Sequence, residues 1–128
     1  MKEGAVSRPA LRRTLLAGAV YDLVLGLFIL FLGRTAMARL GHPLPDHAVF
    51  YFSLASLPLL VLPALYAAAA RATDPDPFRP AVLWARGAGG ALVLLLALTL
   101  RPEPLWLFLI VGTLDGVWAC LHAALWRR

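Results

Sequence analysis

Residues 48–70 read AVFYFSLASLPLLVLPALYAAAA, 23 residues without a charge. A helix rises about 1.5 Å per residue, so ~20 apolar residues cross a hydrocarbon core of ~30 Å. This stretch is therefore long enough to span a bilayer, and the chain on either side repeats the pattern. Residues 15–32 are apolar apart from Asp22. Residues 80–100 carry Arg86 near their start, and residues 105–126 carry one acid, Asp115. Only 14 uncharged residues follow Arg86 in the third segment, but its long stem can snorkel toward the nearer interface, which rescues the span, and the side chain can reach either outward or deeper. Residues 33–47, with Gly33, Gly41, Pro43 and Pro45, read as a break. So do the two Asp-Pro pairs of RATDPDPFRP at 71–80, and the short RPEP at 101–104 joins the last two segments as a hairpin.

Composition agrees with four spans. The hydrophobic fraction is 61% and the charged fraction 15%, against roughly 45–50% and about 25% in soluble domains. A soluble chain of this size buries only some 60–70% of the surface it exposes when unfolded, so the excess apolar surface must face lipid. The net charge of +5 does not indicate nucleic acid, because the basic residues flank the apolar blocks rather than forming one face. Basic residues followed by an apolar run, with Ala36-Met37-Ala38 beyond, resemble a cleavable signal. The run of 18 residues exceeds the usual 7–15 and contains an acid, so it reads as a retained span.

The expected architecture is an all-α, single-domain, four-transmembrane-helix bundle with neighbouring helices antiparallel. With the N-terminus inside, the inner side holds Lys2, Arg8, Arg12, Arg13, Arg71, Arg79, Arg127 and Arg128. The outer side then holds Arg34, Arg39 and Arg101. Eight against three favours N-in, C-in. Eleven arginines against one lysine suit a GC-rich bacterial genome and hence a bacterial inner membrane. Trp84, Trp106, Trp126, Tyr51 and Tyr66 lie near span ends, as in an aromatic belt.

Helices in lipid associate through small residues. Gly18 and Gly26 in the first span, and Gly112 and Gly116 in the fourth, are the candidate packing positions, either within one monomer or at a homo-oligomeric seam. Pro58 and Pro63 should bend the second span and free the carbonyls of Leu54 and Leu59, with Ser53 and Ser56 at hand to satisfy the backbone. Such kinks either widen a bundle into a cavity or are incidental, since prolines are frequent in membrane helices.

Asp22, Arg86 and Asp115 carry the functional information. Each costs roughly 2.5–3.5 kcal/mol at a helix centre on an insertion scale, so none should face lipid. Asp22 shares a face with Gly18 and Gly26. On the fourth span Gly112, Asp115, Ala119 and His122 follow one stripe. A polar seam from the inner surface to the midplane is expected, with Tyr21 beside it. One reading is structural: Arg86 pairs with an acid and fixes helix register. The other notes two acids against one arginine, which leaves one carboxylate short of a partner and able to exchange a proton. Metal binding and a bound cofactor are not expected: His42 and His47 stand apart from His122, and Cys120, the single cysteine, reads as a small core residue.

The stretches YDLVLGLFILFLG at 21–33, LYAAAARATDP at 65–75, LWARGAGGALVLL at 83–95 and TLDGVWACLHA at 113–123 resemble the small bacterial four-helix membrane proteins grouped as DoxX-like. The resemblance implies the four-helix fold and an association, in some members, with quinone-linked or thiol redox systems. It carries no functional residue onto this chain. The sequence reading thus favours an accessory subunit, or a bundle that binds a lipid or quinone, over an enzyme with its own active site. The alternative is a proton-coupled transporter or channel using Asp22 and Asp115. The expected partners are the bilayer with a membrane protein or a second copy, and no nucleic acid.

Overall fold

The computed structural model describes residues 8–127, so Lys2 and Arg128, counted above on the inner side, lie outside the described residues. Those residues form helices and connections, with no strand among them. The helices are α1 (Pro9–Arg39), α2 (Asp46–Leu54), α3 (Ser56–Arg71), α4 (Arg79–Leu100) and α5 (Leu105–Trp126), with a 3-10 turn at Asp76–Phe78 leading into α4. They make four segments long and apolar enough to cross a membrane, α2 and α3 together forming the second.

α1 continues through the first seven residues, 33–39, of the expected break. It stops at Gly41, whose φ of 85° lies in the left-handed region that glycine adopts without strain. There Gly41 N–H donates to Ala38 O at 3.1 Å and His42 N–H to Met37 O at 2.9 Å, a Schellman ending that satisfies two terminal carbonyls. Gly33 instead serves packing. A Cβ at that position would stand 2.5 Å from Phe52 Cε1, so only glycine lets the Phe52 ring lie against α1.

The second span breaks at Ala55. Pro58 has no N–H to offer Leu54 O, and its ring crowds that carbonyl, so the helix cannot pass unbroken through this turn. Ser56, fully buried, donates its hydroxyl to Ser53 O at 2.6 Å and satisfies part of the interrupted ladder. Pro63, by contrast, sits inside α3 without dividing it.

α1 packs chiefly on α3, and α4 on α5. Where α4 meets α5 the contact is glycine against glycine: a Cβ on Gly90 would stand 2.9 Å from both Gly112 O and Asp115 Cβ. Gly26 admits Leu59 and Leu60 in the same manner, at 3.1 and 3.0 Å from its absent Cβ. Gly116 differs, because a Cβ there would meet nothing within 4 Å. A Cβ on Gly112 would stand 2.7 Å from Leu94 Cγ and 3.1 Å from Gly90 O, so α4 supplies its close neighbours.

The two ends of the bundle are built differently. Leu11, Leu15, Ala19, Tyr66, Ala69, Ala70, Val82 and Trp126 form a continuous core at one end. That end is tied by Arg8 to Asp76, by Arg12 to Ala72 O at 3.0 Å, and by Trp126 Nε1 to Asp76 Oδ1 at 3.0 Å. At the other end the helices enclose open space. The outer surface is apolar nearly throughout, with Phe31, Val61, Leu100 and Val117 all exposed, which is the surface expected of a lipid-facing bundle.

Candidate functional site: an arginine between two carboxylates beneath an apolar cavity

Between the packed end and the hollow end lies Arg86, 1% exposed. Its Nη1 donates to Asp115 Oδ1 at 2.6 Å and stands 2.8 Å from Asp22 Oδ1; its Nη2 donates to Gly18 O at 3.1 Å. One guanidinium from α4 therefore joins α1 and α5. The contact with Asp22 is an ion pair, and no aligned hydrogen bond from the described residues reaches either Asp22 oxygen. Gly18 makes the arrangement possible: a Cβ there would lie 3.3 Å from Arg86 Nη2 and crowd the approach to the carbonyl.

Aromatic rings surround the cation. The Arg86 Cζ lies 5.0 Å from the ring centre of Tyr66, 5.5 Å from Tyr21 and 5.9 Å from Trp118. Such faces supply negative potential in place of water, each by about 0.5–2 kcal/mol. Hydrogen bonds, charge and aromatic faces together account for a guanidinium that points into the bundle, the deeper of the two directions that the sequence left open.

His122 is fully buried and lies among rings: Trp118 at 5.6 Å, Tyr66 at 6.2 Å and Trp126 at 6.5 Å between centroids. Among the described residues no aligned hydrogen bond reaches either nitrogen or the Tyr66 hydroxyl. Of the residues expected along a polar seam, Asp22 and Asp115 meet at Arg86, and His122 lies with Arg86 beside Gly18; Trp126 and Leu15, at the packed end, are buried too. Tyr21 contributes its ring to Arg86, half-buried and tilted against Trp118 at 6.3 Å.

On the other side of the cluster lies a cavity of about 440 Å³, inside the ~300–1,000 Å³ range of small-molecule sites. Leu25, Phe28, Phe52, Leu59, Val93 and Phe108 are among its walls, and Asp115 is the only ionisable lining residue among the described residues. Asp115 thus belongs to both features: it holds Arg86 and lines the cavity, keeping 14% of its side chain exposed. Pro58, Ala55 and Gly33 line it too, so the helix break at Ala55 and the Schellman-capped extension of α1 both shape it.

Several placements differ from the sequence expectations. Tyr66, expected in an aromatic belt, is fully buried against Arg86, and Trp126 is buried in the core. Trp84, Trp106 and Tyr51 are exposed on the outer surface, as a belt requires. Cys120, read as a core residue, is exposed on α5. Comparison with known proteins finds no matching family model, no matching curated protein and no matching solved structure.

Proposed function

We propose that this chain is a multi-pass protein of a bacterial inner membrane that binds an amphipathic small molecule, a lipid or a quinone-like compound, in the cavity above Arg86, alone or as an accessory subunit. The observation that carries the reading is an apolar cavity of about 440 Å³ with Asp115 as its only ionisable lining residue. Small-molecule sites are of this kind: apolar walls for the body of the ligand and a few placed polar groups to orient its head. The Arg86 cluster holds Asp115 in place with a 2.6 Å bond, so the polar end is preorganised.

The orientation that fits this reading is N-in, C-in with neighbouring helices antiparallel, supported by the eight-to-three distribution of basic residues. The cavity then occupies the outer half of the membrane, and the packed core the inner half. The resemblance to DoxX-like proteins fits such a bundle and suggests a role beside a redox system.

A second reading, proton-coupled transport, draws on a different observation. Two carboxylates share one guanidinium, and Asp22 has no aligned hydrogen bond. Proton exchange at this pair would link the cluster to flux.

Native mass spectrometry of the protein extracted gently from its own membrane separates the readings. A bound small molecule of a few hundred daltons, retained by the wild type and lost in Gly89→Leu, supports the cavity reading. Gly89 lines the cavity and has open space where its Cβ would be, so leucine enters the cavity without a backbone clash. A protein without small-molecule adducts in either form, paired with acid-dependent flux in liposomes that Asp22→Asn abolishes, favours transport instead.

A further inference from the structure

The polar end of the cavity has a sign, and that sign restricts its occupant. Asp115 Oδ1 accepts from Arg86, while no donor among the described residues reaches Oδ2. Arg86 has little to offer a ligand. Its Nη1 serves the two acids, its Nη2 is held by Gly18 O, and its Nε, without a hydrogen-bond partner among the described residues, is buried in a side chain that is 1% exposed. The group presented to the cavity is therefore the carboxylate of Asp115, an acceptor.

We propose that the cavity takes a neutral amphiphile with a single hydroxyl head, which donates a hydrogen bond to Asp115 while the apolar body lies between Phe52, Leu59, Val93 and Phe108. This rests on the reading of the cavity as a binding site and adds the chemistry of the occupant. A carboxylate or phosphate head brings acceptors to the acceptor Asp115, while the guanidinium that could pair with it is buried and does not line the cavity. An ammonium head has the right sign but must shed its hydration among apolar walls, and that penalty can exceed the Coulombic gain. An ether or ester head brings acceptors to an acceptor and leaves the carboxylate oxygen without a donor.

The test uses four probes of one chain length, 1-decanol, decyl methyl ether, decanoate and decylamine, with the full chain in lipid nanodiscs and binding read by native mass spectrometry. 1-Decanol is expected to bind about 10-fold or more tighter than the ether, the factor that a hydrogen bond to a charged acceptor commands. Decanoate and decylamine are expected to bind more weakly than 1-decanol, and Gly89→Leu should remove binding of all four. Equal binding of 1-decanol and the ether, both lost in Gly89→Leu, overturns the hydroxyl assignment and leaves the cavity reading standing. Tightest binding by decanoate or decylamine, again lost in Gly89→Leu, overturns it in favour of a charged head. Binding that Gly89→Leu leaves unchanged, or no binding of any probe, overturns the cavity reading and this inference with it.

Discussion

Nη1 of Arg86 on α4 donates to Oδ1 of Asp115 on α5 at 2.6 Å, and Asp115 is also the one charged residue lining the cavity. A structural ion pair and a binding surface therefore share a side chain. Asp22 stands 2.8 Å from the same nitrogen but has no view of the cavity, because it is fully buried and does not line it. The two acids that looked equivalent in the sequence have different surroundings, and their substitutions should have different consequences.

Loss of the arginine should be the most damaging single change. Arg86→Met strands two buried carboxylates, a situation that costs about 3–5 kcal/mol where one partner of a buried pair is removed. Arg86→Lys should recover little of this. A single ammonium cannot reproduce the forked contacts to Asp115, Asp22 and Gly18 O. Unfolding of the purified protein in mixed micelles measures both; wild-type stability in the lysine variant contradicts the forked geometry.

The acids should behave asymmetrically. Asp22→Asn removes the charge that has no aligned hydrogen bond and should change stability by no more than about 1 kcal/mol. Asp115→Asn removes a charge-assisted bond and should cost about 1.5–3 kcal/mol. The double variant leaves Arg86 without a counter-ion, so its cost should exceed the sum of the two. Additive losses in the same unfolding assay mean that the three groups do not act as a unit.

Glycine substitutions test the packing position by position. Gly90→Ala places a Cβ 2.9 Å from Gly112 O and Asp115 Cβ, which must separate α4 from α5. A loss of about 1–3 kcal/mol is expected. Gly116→Ala meets nothing within 4 Å and should be neutral or slightly stabilising, since alanine is the better helix former by about 1 kcal/mol. Equal effects of the two substitutions on unfolding contradict the Gly90–Gly112 contact.

How far these features were legible in the sequence follows from what each depends on. The four spans depend on length and hydropathy alone, and a charge-free run such as 48–70 states both. Asp22, Arg86 and Asp115 stood out because lipid penalises charge whatever surrounds it. Tyr66 and Cys120 were misplaced for the converse reason. Lipid and a protein interior are both apolar, so hydropathy does not say which face of a membrane helix meets a neighbour. The bends at Pro58 and Pro63 offered a cavity as one of two readings, but its place was not legible, because it arises from a break at Ala55 and a close approach at Gly33, which unite residues far apart in the chain.

Orientation has its own test. In a Cys120→Ala background, Glu103→Cys lies in the exposed connection between α4 and α5, and Thr73→Cys in the exposed connection after α3. An N-in, C-in chain predicts labelling of Glu103→Cys by a membrane-impermeant maleimide in intact cells. Thr73→Cys should react only after permeabilisation. The reverse pattern inverts the topology.

The central claim, that the bundle holds an amphiphile against Asp115, is tested most directly by photocrosslinking a long-chain alcohol with a diazirine in its tail, followed by peptide mapping. The account predicts adducts on cavity-lining residues such as Phe28, Val93 and Phe108, lost in Gly89→Leu. Adducts confined to outward-facing residues such as Phe31, Val61 and Leu100, unchanged in Gly89→Leu, would contradict it.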